Sequence, residues 1–175
     1  EVALVHEADA YARSTGKVGV CLVTSGPGAT NLVTGIATAN MDSVPLVCIT
    51  GQVANPFIGK DSFQEADMCG ITTPITKHNY LVTNVEDLAD TIREAFVIAQ
   101  SGRPGPVVID IPKDIFLAKT EYQKMFIPKL RQIYPEIKES KILEAVTAIN
   151  NAQRPMIYAG GGVLKSKAHE ELLAF

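Results

Sequence analysis

Three short, almost uninterrupted apolar runs constrain this chain most: Val18-Gly-Val-Cys-Leu-Val-Thr, Pro45-Leu-Val-Cys-Ile-Thr and Val107-Val-Ile-Asp-Ile. Each is too short and too continuous for an amphipathic helix, and none alternates apolar with polar residues. The pattern predicts strands buried on both faces, as in a parallel sheet covered by helices on either side. Tyr80-Leu-Val-Thr reads as a further short strand. The intervening segments have helical spacing. Leu4, Val5, Ala8, Tyr11 and Ala12 share a face ahead of a stop at Gly16. The stretch from Ala29 to Met41 has few charges anywhere round it, so it is expected to be buried on most sides, within the fold or against another subunit. Asn84 predicts a helix cap. Beyond it Val85, Leu88, Ala89, Ile92, Ala95, Phe96 and Ala99 line one face, and Gly102 ends the run. Strands alternating with helices define an α/β fold with a parallel sheet and flanking helices.

The first domain is expected to span residues 1–114. Pro128, Pro135 and mixed charges then mark a linker over 115–138. A second α/β domain begins over 139–175: a helix from Ser140 to Asn151, a strand at Met156-Ile-Tyr-Ala, the turn Gly160-Gly-Gly and another helix. Strand, glycine turn and helix resemble a nucleotide-binding crossover.

Sixteen Lys and Arg against nineteen Asp and Glu give a net charge of −3, with the positive residues scattered. That distribution argues against a nucleic-acid partner. No apolar run approaches the ~20 residues of a membrane span, and the start shows no signal-peptide pattern. The three cysteines have no paired spacing. Cys21 and Cys48 sit inside apolar runs and read as small buried hydrophobes of a reducing, cytoplasmic compartment, with neither a disulfide nor a zinc site expected. The chain lacks an initiator Met and opens in a helical pattern at Glu1, which reads as part of a longer polypeptide.

Gly26-Pro-Gly-Ala-Thr-Asn follows a strand and opens a helix, where backbone N–H groups could hold an anion. It lacks the third glycine of the dinucleotide fingerprint and the Lys of a P-loop, so a plain tight turn is the competing reading. Gly160-Gly-Gly poses the same choice, between a cofactor phosphate and a packed helix. His6, His78 and His169 share no ligand spacing and read as ordinary histidines. Lys113 follows Pro112 at the carboxyl end of a buried strand, where α/β sheets place their ligands. The polar loop from Gly51 to Asp67 carries Asp61-Ser-Phe-Gln-Glu-Ala-Asp, in which an aromatic ring and an amide stand side by side between acids. Loops of that length in compact domains are usually functional.

These motifs, in this order, resemble the large catalytic subunits of acetolactate (acetohydroxyacid) synthases. The resemblance rests on Tyr11-Ala-Arg-Ser-Thr-Gly-Lys, Val23-Thr-Ser-Gly-Pro-Gly-Ala-Thr-Asn, Gly51-Gln-Val, Asp61-Ser-Phe-Gln-Glu-Ala-Asp, Pro74-Ile-Thr-Lys-His-Asn-Tyr and Gly102-Arg-Pro-Gly-Pro-Val-Val-Ile-Asp-Ile-Pro-Lys-Asp. It covers nearly the whole chain to Asp114 and continues more loosely to the end. It implies a thiamine diphosphate pyrimidine-binding domain followed by the opening of an FAD-associated middle domain. The implied activity is decarboxylation of pyruvate on thiamine diphosphate, then condensation of the remaining two-carbon unit with a second 2-keto acid, pyruvate or 2-ketobutyrate, in branched-chain amino acid biosynthesis. Thiamine diphosphate, Mg²⁺ and FAD are the implied cofactors, with Mg²⁺ held mainly by a C-terminal domain outside these residues. A homodimer or higher homo-oligomer and a regulatory small subunit are the implied assembly.

The resemblance also assigns residues. Glu1, ten residues before Tyr11, falls on the glutamate that bonds the pyrimidine ring and activates the cofactor, although Val2-Ala3 departs from the commoner sequence after it. Pro27, Gly28 and Asn31 match the pyrimidine pocket. Phe63 would shape the substrate space, Gln64 would hydrogen-bond an intermediate's oxygen, and Lys113 would attract 2-keto acid carboxylates. Arg103 and Gly160, Gly161 and Gly162 match FAD-contacting positions. No metal ligand falls within the chain. The runner-up is another thiamine-dependent carboligase or decarboxylase, such as glyoxylate carboligase or sulfoacetaldehyde acetyltransferase. The rival of another class is a non-catalytic nucleotide-binding or scaffold domain.

Overall fold

Two of the three apolar runs form the centre of a four-stranded sheet in the computed structural model, which describes residues 1–122 and 136–175. The strands are β1 (Gly19–Val23), β2 (Leu46–Gln52), β3 (His78–Leu81) and β4 (Pro106–Pro112), all parallel and ordered β1-β2-β4-β3. β4 is buried along its whole length and β2 over most of its own. Helices α1 (Val2–Thr15), α2 (Pro27–Thr30) and α3 (Val33–Met41) lie over one face. There Val5, Ala8, Leu32, Ile36 and Ala39 pack with Leu46, Cys48 and Val108. Helix α5 (Val85–Gln100) covers the other face, setting Leu88, Ile92, Ala95 and Phe96 against Val47, Val107 and Ile109. Three layers result, as the buried runs require. Asn84 caps α5 by accepting from the Glu86 N–H, and Gly16, at φ 68°, closes α1 in the left-handed conformation that glycine adopts without strain. Cys21 and Cys48 are both buried and stand opposite one another across β1 and β2.

β1 departs from the expectation of burial on both faces. Its residues alternate, and Val20 and Leu22 point outward. β1 is an edge strand, and α5 packs over β4, β2 and β3 on that side. The low-charge stretch also departs, forming α2 and α3 with a break at Asn31-Leu32. Its apolar side chains Leu32, Ile36 and Ala39 are buried within this domain, while Met41 stays exposed. Arg13 fastens α1 to the end of α3, pairing Asp9 at 2.6 Å and Asp42 at 2.7 Å.

β4 runs directly into α6 (Lys113–Leu117), and the short helix α4 (Met68–Thr72) follows the long loop. The chain divides into two units, Glu1–Gln132 and Ile133–Phe175. Most of the stretch expected as a linker, 115–138, lies outside the described residues. The second unit holds α7 (Glu139–Asn151), α8 (Gly162–Lys165) and α9 (His169–Ala174). The strand expected at Met156–Ala159 does not form. A strand needs a hydrogen-bonding neighbour, and the described residues of this unit supply none, leaving Met156 and Tyr158 exposed.

Candidate active site

The carboxyl ends of β1, β2 and β4 open onto one cleft, the position at which parallel α/β sheets bind ligands. Its volume is about 760 Å³, and its walls include Thr24, Ser25, Phe57, Phe63, Gln64 and Lys113. Three residues singled out from sequence, Phe63, Gln64 and Lys113, therefore line the same space. Lys113 reaches it as the first residue of α6, directly after β4. Phe63 and Gln64 reach it because the loop after β2 folds back over the glycine turn. Phe63 is 89% exposed, so it contributes little to the core.

The turn after β1 admits the loop through one residue. Gly26 has φ 59° and ψ −121°, and a Cβ placed on it would lie 2.7 Å from the backbone oxygen of Gln64. Gly28 serves a second purpose. A Cβ there would collide with Thr24 Cγ2 at 2.7 Å, so the buried glycine lets the turn pack against Thr24, and Glu1 Oε1 lies at ordinary contact distance, 3.5 Å, from the same point. Asn31 Nδ2 donates to Glu1 Oε2 at 3.3 Å. Pro27 opens α2 between them. Glu1, Pro27, Gly28 and Asn31 thus gather at one corner. An exposed carboxylate held through one oxygen can bond a ring nitrogen through the other.

The flavin-assigned residues have other surroundings. Arg103 precedes β4 at the amino end of the sheet. Its Nε donates to Ser43 Oγ at 2.7 Å, and its Nη2 donates to the Asn40 and Met41 carbonyls, each at 3.0 Å. These bonds cap α3. Gly160, Gly161 and Gly162 lie in the second unit, and among the described residues nothing would approach a Cβ on any of them within 4 Å. Among the described residues no three His, Cys, Asp or Glu side chains gather as a metal site.

Sequence reasoning missed a buried polar cluster beneath the cleft. Asp110, 1% exposed, accepts from Thr50 Oγ1 at 2.6 Å and from Gln52 Nε2 at 2.9 Å. The signal was available: an acid inside a run buried on both faces needs donors, and the polar residues ending the neighbouring run were the candidates. Burial, and secondarily the nearby Asp67 carboxylate, push the Asp110 pKa up to about 6 against the two hydrogen bonds that lower it. A carboxyl raised in the folded state favours folding below its unfolded value near 3.8, and that contribution is lost as pH rises through about 6. Relative to Asp110→Asn, the wild type should lose on the order of 2 kcal/mol of stability between pH 4 and pH 7. Denaturant melts of both proteins across that range are the check, and parallel pH profiles would refute the assignment.

Comparison with known proteins bears on this geometry. Residues 1–71 match the family described as thiamine pyrophosphate enzyme, N-terminal TPP binding domain. Residues 1–71 belong to that domain family of thiamine pyrophosphate enzymes, and the parallel sheet with flanking helices is consistent with it. Within that class its relatives are acetolactate synthase large subunits. That of Corynebacterium glutamicum is 53% identical over 174 residues, covering 97% of this chain and 28% of the relative. That of Buchnera aphidicola subsp. Schizaphis graminum is 54% identical over 180 residues, covering 100% and 31%. The Parasynechococcus marenigrum protein is 54% identical over 177 residues, covering 98% and 28%. The chain therefore spans under a third of the length of these relatives. Among the described residues no helix is long and apolar enough to cross a membrane.

Proposed function

We propose that this chain supplies the pyrimidine-binding half of an acetolactate synthase active site, which acts on pyruvate and a second 2-keto acid. The observation that carries the reading is the corner where Glu1 faces Gly28 and Asn31, beside the glycine turn over which the loop bearing Gln64 folds. Thiamine diphosphate, when bound, supplies an acidic carbon that adds to a keto carbonyl and accepts the electrons released on decarboxylation. The chain's own residues do the rest. Glu1 holds a proton at the ring nitrogen of the aminopyrimidine, Asn31 orients that carboxylate, and Pro27 and Gly28 bound the ring. Phe63 limits the space above the cleft. Gln64 donates to oxygen on the reacting substrate, and Lys113 draws the keto acid carboxylate by charge.

The reading extends to parts this chain does not hold. Mg²⁺ would bind through the diphosphate on another domain, and FAD would sit in a middle domain that begins with the second unit. A homo-oligomer, a regulatory small subunit and a cytoplasmic setting complete it; the name "large subunit" borne by the relatives supports the small subunit. The flavin roles of Arg103 and of Gly160, Gly161 and Gly162 rest on the resemblance alone.

The test uses the complete gene product that contains this chain, supplied with thiamine diphosphate, Mg²⁺ and FAD. Acetolactate from pyruvate is the expected product. Turnover of glyoxylate or sulfoacetaldehyde in its place would favour the other carboligases. Failure of all three substrates, with no cofactor-dependent rise in Tm, would favour the scaffold reading.

A further inference from the structure

The loop of residues 53–67 has its own internal order. Both Glu65 carboxylate oxygens are engaged, one by the Gly59 N–H and the other by the Ser62 N–H at 2.9 Å. Ser62 Oγ donates to the Phe57 carbonyl at 3.0 Å, and the Glu65 N–H donates to the Ser62 carbonyl at 2.9 Å. The Gly59 N–H, and after it the Ser62 N–H, hold the Glu65 carboxyl below the usual carboxylate range, and the four bonds together make the loop tip one folded piece. A folded tip on two stems moves as a unit, so its position is set where the stems are fastened.

Among the described residues each stem has a fastening. On the entering stem, the Asn55 N–H donates to Asp114 Oδ1 at 3.1 Å, and Asn55 Nδ2 donates to Asp114 Oδ2 at 3.1 Å and to the Thr83 carbonyl at 3.2 Å. On the returning stem, Gln52 Nε2 donates to the Ala66 carbonyl at 2.6 Å. The second hydrogen of that same amide nitrogen goes to Asp110 Oδ2 at 2.9 Å, and Gln52 Oε1 accepts from the Val53 N–H at 2.8 Å. A primary amide has two donor hydrogens, and both are used.

We propose that Asp110 and Gln52 are positioning residues, which clamp the returning stem of the 53–67 loop to the sheet and so fix Phe63 and Gln64 over the cleft. The catalytic importance of that placement rests on the function proposed above; the clamp itself does not. Gln52 alone could turn its amide end for end. The Asp110 carboxylate removes that freedom, because an ionised carboxylate accepts and cannot donate. Thr50 Oγ1 holds the other Asp110 oxygen at 2.6 Å, which fixes the carboxylate plane. The remaining titratable groups facing Asp110 are Asp67 and Cys69. The Asp67 side chain accepts from the Gly70 N–H as the cap of α4. Burial foremost, then the charges of Asp110 and Asp67, push the Cys69 thiol up to about 11, so it stays protonated and adds no charge. Among the described residues no Lys or Arg forms an ion pair with Asp110, so its partners at neutral pH are the two donors.

The experiment compares wild type, Gln52→Met, Asp110→Leu and Asp110→Asn in the complete gene product. Two readouts are used: amide hydrogen exchange resolved to residues 53–67, and kcat and KM for pyruvate. Gln52→Met keeps the length of the side chain and removes its hydrogen bonds. It should speed exchange across 53–67 at least tenfold while β2 and β4 stay protected, and lower kcat on the order of 10- to 100-fold, the range for a misplaced catalytic group. Asp110→Asn should leave both near wild type, since its amide oxygen can face Gln52 and its amide nitrogen can face the Thr50 hydroxyl. Asp110→Leu should behave like Gln52→Met; if it fails to fold, Thr50→Val, milder at the same site, takes its place with a smaller effect in the same direction. Unchanged exchange over 53–67 in Gln52→Met would overturn the clamp, as would loosening spread evenly over the sheet. Faster loop exchange in an enzyme that forms no acetolactate, even as wild type, would leave the clamp standing and sink the function.

Discussion

Glu1→Gln, made in the complete gene product, should leave the fold intact and slow deuterium exchange at thiamine C2 by 10²- to 10⁴-fold, the usual contribution of a positioned acid or base. An amide can still accept from Asn31, whose Nδ2 lies 3.3 Å from Glu1 Oε2, so the corner keeps its shape. It cannot hold the exchangeable proton that a carboxyl shares with a ring nitrogen. Structural damage is expected to be small, because Glu1 is exposed and its side chain forms no cap for α1. Cofactor-dependent stabilisation in a thermal melt should therefore fall far less than the exchange rate. Exchange at the wild-type rate would remove Glu1 from the chemistry. A melt without any cofactor response would instead mean that the corner around Gly28 and Asn31 is not the ring's binding place.

What the sequence disclosed divides along physical lines. The runs that became β2 and β4 were readable because burial on both faces demands continuous apolar residues, and both strands are central. The run that became β1 looks the same on paper. Its outward Val20 and Leu22 reflect its place at the sheet edge, and strand order is not written in composition. Helix α5 was legible to its cap because a surface helix shows its period and its Asn84 locally. Met156–Ala159 has strand composition but no partner among the described residues, and pairing is a property of two segments.

The site follows the same division. Phe63 and Gln64 stood out as an aromatic ring beside an amide in a long polar loop, and Lys113 by its place at the carboxyl end of a buried strand; one cleft receives all three. The clamp beneath them depends on register: Thr50 lies directly opposite Asp110 across β2 and β4, sixty residues away in sequence. Only the pairing of the two strands makes Thr50, Gln52 and Asp110 neighbours. Arg103 also depends on distant neighbours: its donors close the end of α3, some sixty residues earlier in the chain.

Gly26→Ala should be the most damaging single-methyl change at the site, lowering turnover on the order of 100-fold while the sheet stays folded. Two independent penalties coincide at this position. Its φ of 59° with ψ of −121° lies where a residue with a Cβ is strained by about 1–3 kcal/mol. The added methyl would also sit 2.7 Å from the Gln64 oxygen and 2.9 Å from its Cα, and neither atom can rotate away as the end of a side chain could. Gln64 is itself at φ 61°, so its backbone has little room to yield. Relief must come from lifting the loop, and that carries Phe63 and Gln64 off the cleft. The turn at the end of β1 and the clamp through Gln52 would then pull on the same loop in opposite directions. Faster hydrogen exchange over 53–67, alongside a modest drop in Tm and unchanged protection of β2 and β4, is the expected signature. An alanine variant with wild-type turnover and loop protection would show that Gln64 does not depend on the turn for its place.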